Sequence, residues 1–391
     1  MKNIGQKNLY ILLCIAIVTI SAALLFLEAL KPEDITEKKD VILSSSDVVG
    51  NHLYKEYNDS FKVDADIPAS FNDKAVVLFA KQGLACDEKM ILATFFNKNN
   101  PVRNTYTSSG IEVVTYEDKD KFASITSGSI HYTSAQYQYV ALPTERFNTK
   151  SQYINSFPRY DEIYKQDNLS FMPREEVIDK VKEILNNLAI EVWDNVEVYA
   201  IDHQTMQEQQ NQIIQVNPNI TSMYKTKNKF TKDDDFYLLC FTVVQNDIPI
   251  TPYNYSYQGG DRSISGSEVK VYFSKDGIFY FEARGMYLVK GTAESPDKLI
   301  TAQEAIDKAF EIHNSIITTD KLVVEEVNFE YGFVPYNQNY DEIKLTPTWT
   351  LRLSYEIEDS HSEDGKNDKT SQEDKLIEIM AINAVTGEKI N

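Results

Sequence analysis

Cysteine is nearly missing from these 391 residues: there are three, Cys14, Cys86 and Cys240. A disulfide framework for a chain this long is therefore excluded. Cys14 sits inside an apolar run, so only Cys86 and Cys240 can meet. They form one bond in an oxidising compartment, or they are two small buried hydrophobes. The run Tyr237-Leu238-Leu239-Cys240-Phe241 suits the second reading. Positive charge is scarce as well. Lys and Arg number 39 against 59 Asp and Glu, a net charge of -20. That excludes a nucleic-acid surface, which needs clustered cations, and a broad face for anionic lipid. Histidines are few: His52, His131, His203, His313 and His361. No two stand at a metal-ligand spacing such as HxxxH. Asp233-Asp234-Asp235 and Glu363-Asp364 belong to no calcium loop of the EF-hand type. Ser263-Ile264-Ser265-Gly266-Ser267 lacks the GxSxG elbow, and no glycine-rich phosphate loop follows a strand. Carboxylates are too abundant for a glycosidase pair to stand out. The residues name no catalytic group, no metal ligand and no cofactor.

Tyrosine is plentiful, with 24 residues, and aromatics make up 12% of the chain. Chains of this kind build sheets with half-wet faces. One long apolar run exists, residues 9–30, reading LYILLCIAIVTISAALLFLEAL with Glu28 as its single charge. About 20 apolar residues cross the roughly 30 Å hydrocarbon layer. The run continues past the small residues Ser21, Ala22 and Ala23, which argues against signal cleavage there. Leu13 before Cys14 is not a lipobox. Lys2 and Lys7 precede the run and place the short tail, residues 1–8, in the cytoplasm. The expectation is a single-pass cell-membrane protein with its mass outside. Ser21, Ala22 and Ala23 offer a patch where a partner helix can approach, or they are incidental to an ordinary anchor.

Beyond the span, residues 31–43 read as a stalk. Ser44-Ser45-Ser46-Asp47 caps a helix expected to run to about Tyr57. A strand is expected at Ala75 to Ala80, a helix at Asp87 to Phe96, and antiparallel strands at Ile111 to Tyr116 and Ser129 to Leu142. Residues 44–165 form a first α+β domain on this reading. Residues 166–295 form a middle helix-plus-sheet domain, opened by a helix from Pro173 to Leu188. Its strands are expected at 195–201, 235–245, 249–257, 267–274 and 278–289, with hairpin turns at Asn246-Asp247 and Lys275-Asp276-Gly277. Residues 296–391 form a third domain. Thr301 and Glu304 make a capping box for its helix to Asn314. Strands follow at 322–335, 346–357 and 375–384, with a polar, disordered insertion at 359–374. The run from Glu176 to Ile184 echoes the run from Glu304 to Ile312. Duplication explains this, as does chance likeness between amphipathic helices. The expected class is α+β: antiparallel sheets each packed by a helix.

Several segments carry a resemblance: Val269-Lys270-Val271-Tyr272-Phe273, Ile300-Thr301-Ala302-Gln303-Glu304-Ala305-Ile306, Leu345-Thr346-Pro347-Thr348-Trp349, and Ile382-Asn383-Ala384-Val385-Thr386-Gly387-Glu388-Lys389-Ile390. From about Asp235 to Asn391 the chain resembles the YycI/YycH group of membrane-anchored regulators, and more loosely the PepSY-type helix-plus-sheet module. Glu304, Pro347, Trp349, Asn383, Thr386, Gly387 and Glu388 are the structural residues of that likeness. Thr386-Gly387 makes a tight turn, and Trp349 can seat the helix on its sheet. The resemblance implies a non-enzymatic extracytoplasmic regulator. Its implied partner is a membrane protein such as the sensor kinase of a two-component system, with a second family member as another partner. An inhibitor or chaperone of a secreted protease or cell-wall enzyme is the alternative.

Overall fold

Runs rich in β-branched and aromatic residues alternate with turn residues along the chain, and most of them are strands. The computed structural model describes residues 51–68, 71–96, 100–144, 147, 149, 159–256, 263–315, 321–336, 342–356 and 377–390. Strands β1 (His52–Asn58), β2 (Phe61–Asp66) and β3 (Val77–Gln82) come first, then helix α1 (Glu88–Phe96). Strands β4 (Val102–Ser108), β5 (Ile111–Asp118), β6 (Lys121–Thr126) and β7 (Ser129–Ser134) lead to α2 (Tyr137–Thr144), α3 (Tyr160–Ile163) and α4 (Arg174–Asn187). After β8 (Val192–Ile201) and α5 (His203–Val216) come β9 (Phe236–Gln245), β10 (Ile248–Pro249), β11 (Tyr255–Ser256) and β12 (Ser263–Ile264). Next are β13 (Glu268–Ser274), β14 (Gly277–Arg284) and β15 (Tyr287–Glu294). The chain ends with α6 (Ala302–Asn314), β16 (Lys321–Pro335), β17 (Glu342–Glu356) and β18 (Ile377–Asn383).

The strands assemble into two large sheets and one small pair, β11 with β12. The seven-stranded sheet runs β1-β2-β16-β17-β3-β15. Its central β17 is long enough to carry two partners on one edge. β3 pairs with Glu342 to Leu345, and β18 pairs with Thr348 to Ser354. The nine-stranded sheet runs β10-β9-β13-β14-β7-β6-β5-β4, with β8 also on β9. In β9, Tyr237, Leu239 and Phe241 enter one apolar cluster, while Phe236, Leu238 and Cys240 enter another. Burial on both faces explains why this strand is continuously apolar rather than alternating. Helix α4 lays fully buried Val177, Val181 and Leu185 toward β8 and β9. Helix α6 lays Ala305, Ile306 and Ala309 toward β17 and β18.

Small duplicated helix-plus-sheet modules are thus not what the chain builds. The molecule is mostly β, and each large sheet gathers strands from distant stretches of sequence. The helices echoing one another lie on sheets of different size and strand order, so no repeated unit surrounds them. Local expectations fail where pairing overrides pattern. His52 to Tyr57 lie in strand β1, not in a helix, because buried Leu53 pairs with Ala65 of β2; the expected start of that helix, residues 44–50, lies outside the described residues. Ser129 to Leu142 is a strand followed by α2. The expected strand 249–257 is reduced to β10 and β11, and 278–289 is broken at Gly285, which has φ +61. Helix α5 has no expected counterpart. Its cap is Asp202, which accepts from the Gln204 and Thr205 amides at 3.0 Å. Cys86 and Cys240 are both buried free thiols.

The apolar run 9–30 and the insertion 359–374 lie outside the described residues. Among the described residues no helix is long and apolar enough to cross a membrane. Asp47–Asn391 forms one unit.

Candidate functional site

Strand β16 reads Glu326-Val327-Asn328-Phe329-Glu330-Tyr331, polar and apolar in strict alternation, so its two faces differ in chemistry. Val327, Phe329 and Tyr331 are buried, and Phe329 packs on Trp349 with ring centroids 5.0 Å apart. Glu326, Asn328 and Glu330 line a cleft of about 630 Å³, and Phe329 reaches its lining as well. The nine-stranded sheet supplies Trp193, Asn195 and Glu197 of β8, Thr242 of β9, and the turn and strand from Asp247 to Pro249. Pro68, Phe71, Asn72, Pro252 and Tyr253 complete it. The two sheets are tied beside the cleft: the Thr251 amide donates to the Tyr331 carbonyl at 3.0 Å, and Ile250 bridges Tyr331 in parallel. A tight turn at Asn246-Asp247, with φ of 51 and 61, sends the chain toward this junction.

Glu330 is 5% exposed. The Thr350 hydroxyl donates to its carboxyl at 2.6 Å, and the Thr251 hydroxyl bonds it as well. Burial pushes this carboxyl up to about 7, with the two hydroxyls pulling the other way. Glu326 is held by Arg352, with Nη1 donating at 2.9 Å. The Tyr253 phenol is raised first by burial and then by the nearby Glu330 and Glu326 carboxylates. Trp193 remains 47% exposed. Among the described residues no Lys, Arg or His lines the cleft, whereas Glu197, Asp247, Glu326 and Glu330 do. Such a cleft can hold an organic cation against carboxylates and ring faces, and its buried carboxyl changes charge near neutral pH.

The residues singled out from sequence lie elsewhere, most of them on the far side of β16 and β17. Thr301 and Glu304 form the expected capping box: the Thr301 amide donates to the Glu304 carboxylate at 2.6 Å, and the Glu304 amide to the Thr301 hydroxyl at 3.2 Å. Trp349 is fully buried and donates its indole N–H to the Ile300 carbonyl at 2.9 Å. Pro347 gives its carbonyl to the Ala384 amide, and Ala384 gives its own to the Ile300 amide. The Asn383 side chain accepts from the Val385 and Thr386 amides at 2.8 and 3.2 Å. Gly387, at φ +76, lets the chain turn so that the Glu388 carbonyl accepts from the Asn383 amide. These residues form one structural knot at the start of α6. Ser21, Ala22 and Ala23 lie outside the described residues.

The knot backs onto the cleft through Phe71, a lining residue, which packs on both Phe329 and Trp349 with centroids 5.0 Å away. Sequence reasoning missed the cleft itself. The alternation in β16 was the available signal, but a polar face on a strand reads as solvent-facing unless the second sheet is known. Among the described residues no group of three or more His, Cys, Asp or Glu side chains has the arrangement to hold a metal ion.

No family model and no curated protein matches this chain. Its fold is shared with a crystal structure of an uncharacterized protein from Eubacterium rectale. That likeness has a TM-score of 0.63 at 16% identity, over 89% of this chain and 96% of the other. At this identity it establishes the architecture alone.

Proposed function

We propose that this chain is a membrane-tethered, non-enzymatic recognition protein that modulates a membrane partner, such as the sensor kinase of a two-component system, through protein–protein contacts outside the membrane. The observation that carries the reading is the cleft between the sheets. Its lining offers carboxylates, amides and ring faces, with Trp193 open to a partner. The apolar run 9–30 supplies the tether, and the likeness to YycI/YycH regulators supplies the partner class. The test is replacement of residues 9–30 by an unrelated apolar helix, with crosslinking in intact membranes as the readout. Loss of the crosslinked kinase with the exterior part still folded supports regulation through both span and exterior. A crosslink to a secreted protease or wall enzyme instead would favour the inhibitor reading.

A further inference from the structure

We propose that the cleft between the two sheets receives a cationic side chain, arginine or lysine, presented by a segment of the partner protein. This rests on the recognition reading above and names what that site takes. The volume, about 630 Å³, suits a side chain with its flanking backbone. Charge decides the chemistry of the occupant: Glu197, Asp247, Glu326 and Glu330 line the cleft, and among the described residues no basic side chain does. Arg352, beside the cleft, is bonded to Glu326. An anionic occupant would meet four acidic side chains with no cationic side chain among the described lining residues to offset them. A guanidinium or ammonium group meets them favourably, and Trp193 and Tyr253 offer ring faces of the kind that bind cations. The net charge of -20 steers a basic segment toward the molecule as a whole.

The architecture also preorganises the site. Glu330 is fixed by the Thr350 hydroxyl from β17 and the Thr251 hydroxyl from the loop that follows β10. Its carboxyl therefore needs little ordering when a cation arrives. Glu326 is paired with the Arg352 guanidinium, whereas Glu197 accepts from the Tyr199 hydroxyl at 2.7 Å and Glu330 from the Thr350 hydroxyl at 2.6 Å, so these two carboxyls are the ones the variants below address.

The experiment uses the full chain in detergent micelles. The probes are the blocked pentapeptide AARAA and its glutamine counterpart AAQAA, titrated by calorimetry and by tryptophan fluorescence. Trp193 is 47% exposed and Trp349 is fully buried, so a change on binding in the emission that a soluble quencher reaches reports Trp193. The expected result is binding of AARAA at least about tenfold tighter than AAQAA, weakened about tenfold by Glu197→Gln and by Glu330→Gln. Melting curves check that each variant folds. If Glu330→Gln does not fold, Glu197→Gln and Trp193→Ala decide the matter. Equal binding of the two peptides overturns the proposal, as does binding indifferent to Glu197→Gln. Binding of an N-acetylglucosamine oligomer in place of AARAA also overturns it and makes the cleft a glycan site. The span-replacement test can fail while these titrations succeed, and the reverse, so the two readings fall separately.

Discussion

Trp349 donates its indole N–H to the Ile300 carbonyl at 2.9 Å, and this bond fixes the chain just before α6 onto β17. The ring is fully buried and touches Phe71 and Phe329. One side chain thus seats a helix and supports two aromatic residues of the cleft lining. Trp349→Ala removes both roles and should cost roughly 3–5 kcal/mol. Trp349→Phe keeps most of the packing and leaves the Ile300 carbonyl unpaired, at a cost of about 1–3 kcal/mol. Denaturant titration of both variants checks the order. Equal stability of Trp349→Ala and the native chain would mean that α6 is held elsewhere.

Replacing residues 359–374 with a short turn should leave the fold in place. Ser354 of β17 pairs with Ile377 of β18, so the strand ends that flank the segment already lie side by side. Halving a loop changes its closure entropy by only about 0.6 kcal/mol. The melting temperature of the shortened chain should match or slightly exceed that of the native one. A fall of more than a few degrees would show that the segment contributes contacts.

What the sequence disclosed was local. The helix opened by Pro173, the Thr301–Glu304 capping box, and the turns at Asn246-Asp247 and Thr386-Gly387 follow from short-range rules. Each rule needs only residues three or four positions apart. Trp349 could be assigned a seat because a buried indole needs both an apolar wall and a carbonyl. The sheets were not legible in the same way. That Phe61 of β2 runs parallel to Leu322 of β16, or that Lys81 of β3 faces Glu342 of β17, leaves no mark in any local window. Strand β1 was read as a helix because a run of hydroxyl residues preceding it looked like a cap. Helix α5 was missed because only Met206 and Gln210 are buried among its 14 residues, too few for an apolar stripe. The cleft combines both difficulties. Glu330 is separated by over 130 positions from Trp193, and only strand pairing brings them to one lining.

The thiols give a direct check of burial. Cys240 is fully enclosed between sheet and helices, and burial raises it far above the ordinary thiol range. Cys86 is raised by burial as well. In a Cys14→Ser background neither should react with a thiol reagent over minutes in native buffer, and both should react on denaturation. Mass spectrometry without reductant should find no bond between them. A Cys86–Cys240 crosslink in the native protein would contradict the arrangement of the sheets, which holds both as free thiols.

The last prediction concerns Glu330 and pH. Its carboxyl is raised from 4.5 to about 7 in the folded chain, principally by burial. Facing it are the Thr350 and Thr251 hydroxyls, the Tyr253 phenol and the Glu326–Arg352 pair. Between pH 4.5 and 7 the folded state therefore binds more protons at this position than the unfolded state does. Stability must then fall as pH rises through that window, by linkage. Below pH 4.5 both states are protonated and the penalty vanishes. Above pH 7 it is complete, and the size of the shift sets it at about 3 kcal/mol at most. Glu330→Gln keeps the shape and accepts the Thr350 hydroxyl while removing the ionisation. The variant and the native chain should therefore unfold at similar denaturant concentrations at pH 4, and the variant should be the more stable at pH 8. Titrating groups remote from Glu330 cancel in that difference, so the gap between the two curves reports this carboxyl together with the groups that face it. A constant gap across pH would mean that Glu330 ionises as a solvated carboxylate does. The hydroxyl pair would then be holding an anion rather than an acid.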